Sequence, residues 1–301
     1  MLIRKACVVG ARGAFGQIFC EKLRSHGITV LGVDLKRAHS PRLYSSFIQG
    51  DFGNLLKTHR DRLGGCELLI FCTPEELVVK HLAATLRLSG LRICSDICSV
   101  KSRIRRIVAN LRSAQQRSIS YIGVHPMFGP TKNFRGYNLC VVPMQRQRGP
   151  YAAEFLGLVR SWSAKVTVLS AQEHDNMTAW SQAAVHLSLL SYAGAAINSH
   201  IPLRKMMRTA TPIQKILLSL ASRTALSKNV DTNWQIQHEN PFAHRAHAQV
   251  AEQLKDLVNT ISGGQRVVFA SRLSKIASSL VGKDAGLKAL SATLVGQARS
   301  R

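Results

Sequence analysis

The sequence predicts a chain in two parts, an α/β half built on a mainly parallel sheet and a following half made only of helices. Two observations carry this. Up to about residue 170, short apolar runs rich in Val, Ile and Cys alternate with helical patterns. Alternation of that kind builds a parallel sheet covered by helices on both faces. Beyond residue 170 no strand pattern recurs and helical periodicity runs almost to the end. The boundary is placed there, dividing 1–170 from 171–301.

The strand candidates are ACVVG, ITVLGVD, ELLIFCT, RICSDIC, YIGVHP, NLCVVP and AKVTVLS, each ended by turn or polar residues. Between them lie helical stretches such as FGQIFCEKLRSHG, PEELVVKHLAATLRLSG, VKSRIRRIVANLRSA and AAEFLGLVRSWS. In the second half, helical patterns cover residues 173–199, 213–222, 246–261 and 271–280, interrupted at Gly263-Gly264. The tail from Asp284 is small and polar and is expected to fray.

Composition narrows the class. The 301 residues are 46% hydrophobic, enough for two folded cores and too apolar for disorder. The most apolar stretch, residues 179–197, carries Gln182, His186 and Ser191, which predicts a buried core helix rather than a membrane span. The first apolar run stops at Gly10, with Arg12 close behind, so no secretory leader is expected. Seven cysteines fall between Cys7 and Cys140 without a CxxC pair. An odd, scattered set argues against a disulfide framework or a metal site and for a reducing cytoplasm.

The charge is unusual: 41 Lys+Arg against 16 Asp+Glu, a formal +25. Such a field attracts anions. A nucleic-acid-binding protein on this scaffold would cluster its basic residues and interleave aromatics. Here the cations are spread through both halves and aromatics are 6%, so no nucleic-acid partner is expected and the excess reads as solvated surface.

Chemistry enters with ACVVGARGAFGQIF. Gly10, Gly13 and Gly16 stand three apart, after a strand and at the opening of a helix. The first allows a tight turn, the second lets backbone approach a pyrophosphate, and the third lets helix and strand pack closely. The N–H groups near Ala14 and Phe15 then face the phosphates at the positive end of the helix dipole. Asp34 ends the second strand, where a carboxylate accepts hydrogen bonds from ribose hydroxyls and favours NAD. Lys36 and Arg37 follow at once and are suited to a 2′-phosphate, so NADP stays open. The first half therefore reads as a Rossmann-like dinucleotide-binding domain.

GVHPMFGP, residues 123–130, ends a later strand candidate. HPMFGP behind a dinucleotide domain resembles the signature of the prephenate and arogenate dehydrogenases. Other pieces agree in order. CTP (72–74) stands where that family places the loop beside the nicotinamide, giving Thr73 and Pro74 a cofactor-side position. DICSVK (96–101), EHDNMTAWSQAAVH (173–186) and TPIQKILLSLASR (211–223) resemble further family segments. The likeness runs from about Cys7 to Pro241 and includes no fused chorismate mutase domain.

The resemblance implies a two-domain homodimer without a metal, whose second domain serves substrate binding and dimerisation. The implied reaction is NAD-dependent oxidative decarboxylation of prephenate to 4-hydroxyphenylpyruvate, the precursor of tyrosine. His125 is the implied acceptor of the hydrogen bond from the 4-hydroxyl, and Ser99 bridges cofactor, substrate and histidine. Arg223 is the implied partner of the ring carboxylate, which a guanidinium fork holds bidentately. His186 and Trp234 are placed at the substrate pocket. His174 reads as a helix-start residue beside Asp175, and Lys101 either ties the domains together or is solvated. Many family members carry an acid after FGP, and here Thr131 follows. That leans toward a keto-acid side chain over arogenate and leaves 4-amino-4-deoxyprephenate open.

Overall fold

Along β1 (Lys5–Val9) and β4 (Leu68–Phe71), successive side chains feed opposite faces of one sheet. Cys7, Val9, Leu69 and Phe71 join one core, and Ala6, Val8, Leu68 and Ile70 join the other. A strand buried on both faces must be apolar at every position rather than at alternate ones, and this is why the runs legible in the sequence are continuous. The computed structural model describes residues 1–38, 41–111, 118–144, 149–226, 230–281 and 285–299. It divides into two compact units, Met1–Met177 and Thr178–Arg301.

The first unit carries one eight-stranded sheet in the order β3-β2-β1-β4-β5-β6-β7-β8. The remaining strands are β2 (Thr29–Asp34), β3 (Ser46–Gln49), β5 (Ile93–Asp96), β6 (Ser120–Pro126), β7 (Asn138–Pro143) and β8 (Lys165–Val168). Every pairing is parallel except β6 with β7. The helices are α1 (Ala14–Ser25), α2 (Phe52–Thr58), α3 (Arg60–Gly64), α4 (Glu75–Thr85), α5 (Ser102–Ala109), α6 (Pro150–Ser161) and α7 (Ala171–Thr178). Leu55, Val78, Leu82, Ile104 and Val108 cover one sheet face from α2, α4 and α5. Ile18, Phe19, Leu23, Phe155 and Val159 cover the other from α1 and α6.

Seven of the eight strands coincide with the apolar runs. β3 is the addition: four residues at the sheet edge with only Ile48 buried, too short and polar to stand out. Residues 112–114 of the predicted helix VKSRIRRIVANLRSA lie outside the described residues.

The second unit is helical. After a π-helical turn at Ala179–Ala184 come α8 (Val185–Ile197), α9 (Leu203–Arg208), α10 (Pro212–Ala225) and α11 (Val230–Trp234). A second π turn at Gln235–Glu239 precedes α12 (Ala243–Ser262), α13 (Arg266–Val281) and α14 (Ala285–Arg299). Two expectations change here. Asp284 lies outside the described residues, but the segment behind it forms α14 rather than fraying. The helix expected in the core, α8, buries no residue within this chain. The unit's own cores are small, joining Ala179, Ala184 and Ala246, and Ala183, Ile236 and Ala243. Ile213, Leu273, Ile276, Leu280, Leu287 and Leu290 remain exposed. No described helix is long and apolar enough to cross a membrane.

One carboxyl stands apart in the first unit. Glu75 opens α4, is 1% exposed, and neither carboxyl oxygen has a hydrogen-bond partner among the described residues. Burial, opposed by Arg103 and reinforced by Asp96, raises its pKa from 4.5 to about 8. The native state therefore holds a proton that the unfolded chain releases between these values, so this group makes stability fall as pH rises across that window and level off above it. Glu75→Gln keeps the shape of the neutral acid and removes that proton. Its stability relative to wild type should rise from pH 5 to pH 8 in urea unfolding, and an offset independent of pH would show that Glu75 is ionised throughout.

Candidate active site

Five parallel strands end on one edge of the sheet, and the chemistry-bearing loops gather there. Gly10 follows β1, Asp34 ends β2, Thr73 and Pro74 follow β4, Ser99 follows β5, and His125 is the penultimate residue of β6. Ligands of open α/β sheets bind outside these carboxyl ends, where the connections diverge to either face.

The glycine turn is built as its spacing requires. Gly10 has φ +80°, and a Cβ there would lie 2.3 Å from the Cys72 carbonyl oxygen. A Cβ on Gly16 would lie 2.1 Å from the Gly10 carbonyl oxygen, so α1 can pack on the turn only without one. Asp34 braces the same turn. Its Oδ2 accepts the Arg12 N–H at 2.9 Å and its Oδ1 the Lys36 N–H at 3.0 Å.

A cavity of about 320 Å³ opens beside this turn, lined by Gly10, Arg12, Gly13, Asp34, Thr73 and Pro74 among others. Two buried polar atoms of that lining, Arg12 Nε and Thr73 Oγ1, have no hydrogen-bond partner among the described residues. Buried polar groups are rarely left unmatched, and these suit the phosphate and ribose oxygens of a dinucleotide. Arg12 was not singled out in the sequence, where it stands as the variable residue between two motif glycines. Ala14, Phe15 and Gly16 lie outside the lining. Ala14 begins α1, and the Phe15 ring packs edge-on to Phe128 at 6.4 Å, linking the glycine turn to the HPMFGP segment.

The spacing of DICSVK has a physical cause. Asp96 and Lys101 are both fully buried, and Lys101 Nζ donates to Asp96 Oδ1 at 2.5 Å and to the Val124 carbonyl at 3.3 Å. Lys101 is thus not solvated. Asp96 Oδ1 also accepts the Cys98 N–H at 2.8 Å. These bonds fold the intervening turn, on which Ser99 sits half-buried.

His125 is 3% exposed. Burial, then the neighbouring His174 and the Lys101 cation, hold its pKa well below the usual histidine value, so its imidazole is neutral at pH 7. His125 Nδ1 lies 2.9 Å from His174 Nε2, and His174 Nδ1 lies 2.7 Å from Asp175 Oδ1. His174 is not a simple helix-start residue: it is fully buried within α7 and bridges His125 to a buried carboxylate. The cue available in the sequence is the EHDNMTAWSQAAVH segment, in which nothing local shows that His174 meets His125. Thr131, just past Pro130, is half-buried.

Arg223, His186 and Trp234 belong to the second unit. Arg223 is exposed in the last turn of α10. His186, in the first turn of α8, is half-buried, and its Nδ1 has no hydrogen-bond partner among the described residues. Trp234 is exposed and its ring stacks on His238 with centroids 4.7 Å apart.

Residues 19–139 match the prephenate dehydrogenase nucleotide-binding domain. The chain is 26% identical to 4-amino-4-deoxyprephenate dehydrogenase of Streptomyces pristinaespiralis over 293 residues, covering 96% of each protein. It is 25% identical to the T-protein of Enterobacter agglomerans over 221 residues, 73% of this chain and 53% of that protein. Among solved structures, its fold resembles prephenate dehydrogenase from Aquifex aeolicus, crystallised with hydroxyphenyl propionate and NAD+. That match has a TM-score of 0.66 at 15% identity and covers 94% of this chain and 99% of that one. Arogenate dehydrogenase of Synechocystis gives 0.64 at 19% identity, covering 93% and 99%. The chain is therefore similar to the prephenate dehydrogenases along its length, and its residues 19–139 match the nucleotide-binding domain of that family of oxidoreductases.

Proposed function

We propose that this chain catalyses the NAD-dependent oxidative decarboxylation of prephenate to 4-hydroxyphenylpyruvate. The observation that carries the reading is His125, a neutral buried imidazole in HPMFGP, at the sheet edge that also holds the glycine turn. A nicotinamide bound at that edge supplies the hydride acceptor. Gly10, Gly13, Ala14 and Arg12 hold its pyrophosphate, Asp34 its ribose, and Thr73 and Pro74 border the ring.

The protein's own part is to orient the substrate and to receive a proton. As the C4 hydrogen leaves as hydride, the 4-hydroxyl becomes a carbonyl and sheds its proton, which a neutral imidazole accepts. Loss of CO₂ makes the ring aromatic and drives the step, so positioning and polarisation suffice. Ser99 orients the hydroxyl toward His125. Arg223 grips the ring carboxylate, with His186, Thr131 and Trp234 around the remainder of the substrate. Exposed apolar residues on the helical unit support pairing with a second copy, and seven free thiols suit a reducing cytoplasm.

A second reading keeps the machinery and changes the substrate to 4-amino-4-deoxyprephenate. The end-to-end match to the Streptomyces enzyme favours it, and Thr131, which tells against the side-chain amine of arogenate, is compatible with both readings. A neutral imidazole accepts a hydrogen bond from an amine as readily as from a hydroxyl.

Nucleotide reduction, followed by absorbance with NAD or NADP and with prephenate, arogenate or 4-amino-4-deoxyprephenate, decides between them. Turnover with prephenate and NAD is the expected result, and preference for an amine substrate moves the assignment to the second reading. Silence with all three, from folded protein that binds NAD, would overturn both. His125→Asn should lower kcat by about two to four orders of magnitude with little change in KM. Near-wild-type turnover would remove His125 from the chemistry. Arg223→Ala should raise KM for the substrate by about ten- to a hundredfold, the usual loss for a charged hydrogen bond, and leave NAD affinity unchanged. An unaltered KM places the carboxylate elsewhere.

A further inference from the structure

Behind His125 lies a chain of buried groups whose protonation is dictated from its far end. Asp175 Oδ1 accepts the Lys101 N–H at 2.9 Å and faces His174 Nδ1 at 2.7 Å, and Oδ2 accepts the Ser102 N–H at 2.7 Å and the Lys101 N–H at 3.2 Å. These backbone donors belong to the N-cap residue and the first residue of α5, whose dipole also favours an anion. A carboxylate so placed is an acceptor only. The nitrogen of His174 that faces it must then carry a hydrogen, and in the neutral ring this leaves His174 Nε2 with a lone pair. Because His125 Nδ1 is 2.9 Å from that lone pair, the His125 hydrogen sits on Nδ1. Its Nε2 is left as the bare acceptor.

We propose that His174 and Asp175 are positioning residues that set the tautomer of His125 and take up the charge it acquires. The inference rests on the catalytic reading of His125. When the substrate O–H bond breaks, its proton bonds to His125 Nε2. The Nδ1 proton of His125 passes to His174 Nε2, and the positive charge comes to rest beside the Asp175 carboxylate. One proton enters and none is lost along the chain, while both electrons of the breaking C–H bond leave with the hydride. His125 by itself is a poor place for that charge, because burial and the Lys101 cation oppose it.

Asp175→Asn tests the tautomer directly. Its side-chain oxygen can still accept from the N–H groups of Lys101 and Ser102, preserving the cap. Its NH₂ then faces His174 Nδ1 as a donor, which reverses the tautomer of His174 and, in turn, of His125. The dictated state is visible without turnover by ¹⁵N NMR of labelled protein. In wild type, His125 Nδ1 should give a protonated-nitrogen shift and Nε2 a bare-nitrogen shift, and the two should exchange in Asp175→Asn. In the activity assay, Asp175→Asn should lower kcat by about a hundredfold or more, with KM and NAD affinity close to wild type.

His174→Gln offers a second route should the first variant not fold. Its amide oxygen still accepts from His125 Nδ1, keeping the orientation, but it cannot take up a proton. It should lose kcat yet keep the wild-type His125 shifts. Wild-type shifts with the hydrogen on Nε2, or a folded Asp175→Asn with kcat within about threefold of wild type, would overturn the relay. If wild type turns over none of the three substrates, the functional reading fails, and the NMR result still judges the tautomer.

Discussion

Two opposite charges buried beside each other hold the first unit's site in register. An ion removed from water without a partner costs several kcal/mol, and deleting one member of a buried pair costs about 3–5 kcal/mol. Asp96 and Lys101 satisfy this demand mutually, five residues apart, and the constraint propagates. The pair closes the turn that carries Ser99, and Lys101 Nζ reaches the Val124 carbonyl beside His125. The Lys101 backbone N–H donates to Asp175. Gly123 belongs to the same arrangement, since a Cβ there would sit 3.1 Å from both Asp96 Oδ2 and Lys101 Cε. Three separate sequence motifs are thus fastened to one ion pair.

The fold of the first unit was largely readable because parallel strands covered on both faces must be written as uninterrupted apolar runs, and helices between them as periodic ones. β3 escaped because an edge strand with one buried residue leaves almost no hydrophobic trace. The helical unit was readable as helices but not as a packing arrangement. Ala179, Ala183, Ala184, Ala243 and Ala246 form its small cores. Alanine reports helix propensity and says little about which face is inside.

The site was legible where local backbone geometry imposes residue types. Gly10 and Gly16 are fixed by a positive φ and a close approach, and Asp34 by its position at the end of β2. It was less legible where a role depends on residues distant in sequence. His174 and Asp175 are visible in the sequence only as part of the EHDNMTAWSQAAVH segment, and their contact with His125, 49 residues before His174, is not. Arg12 likewise looks like one more cation in a chain with 41 Lys+Arg, until its buried Nε, unmatched among the described residues, is found beside the cavity.

The helical unit's surface also bears on how this protein persists in solution. α13 and α14 leave Leu273, Ile276, Leu280, Leu287 and Leu290 exposed within the chain, whereas the central strands β1 and β4 to β6 of the first unit are buried by its own helices. With a second copy as the cover, the stability of the helical half follows the law of mass action and that of the nucleotide-binding half does not. Under the proposed pairing, dilution would act as a selective denaturant, loosening one half of the molecule before the other. A newly made chain would likewise complete its first half alone on the ribosome and wait for an encounter to complete its second.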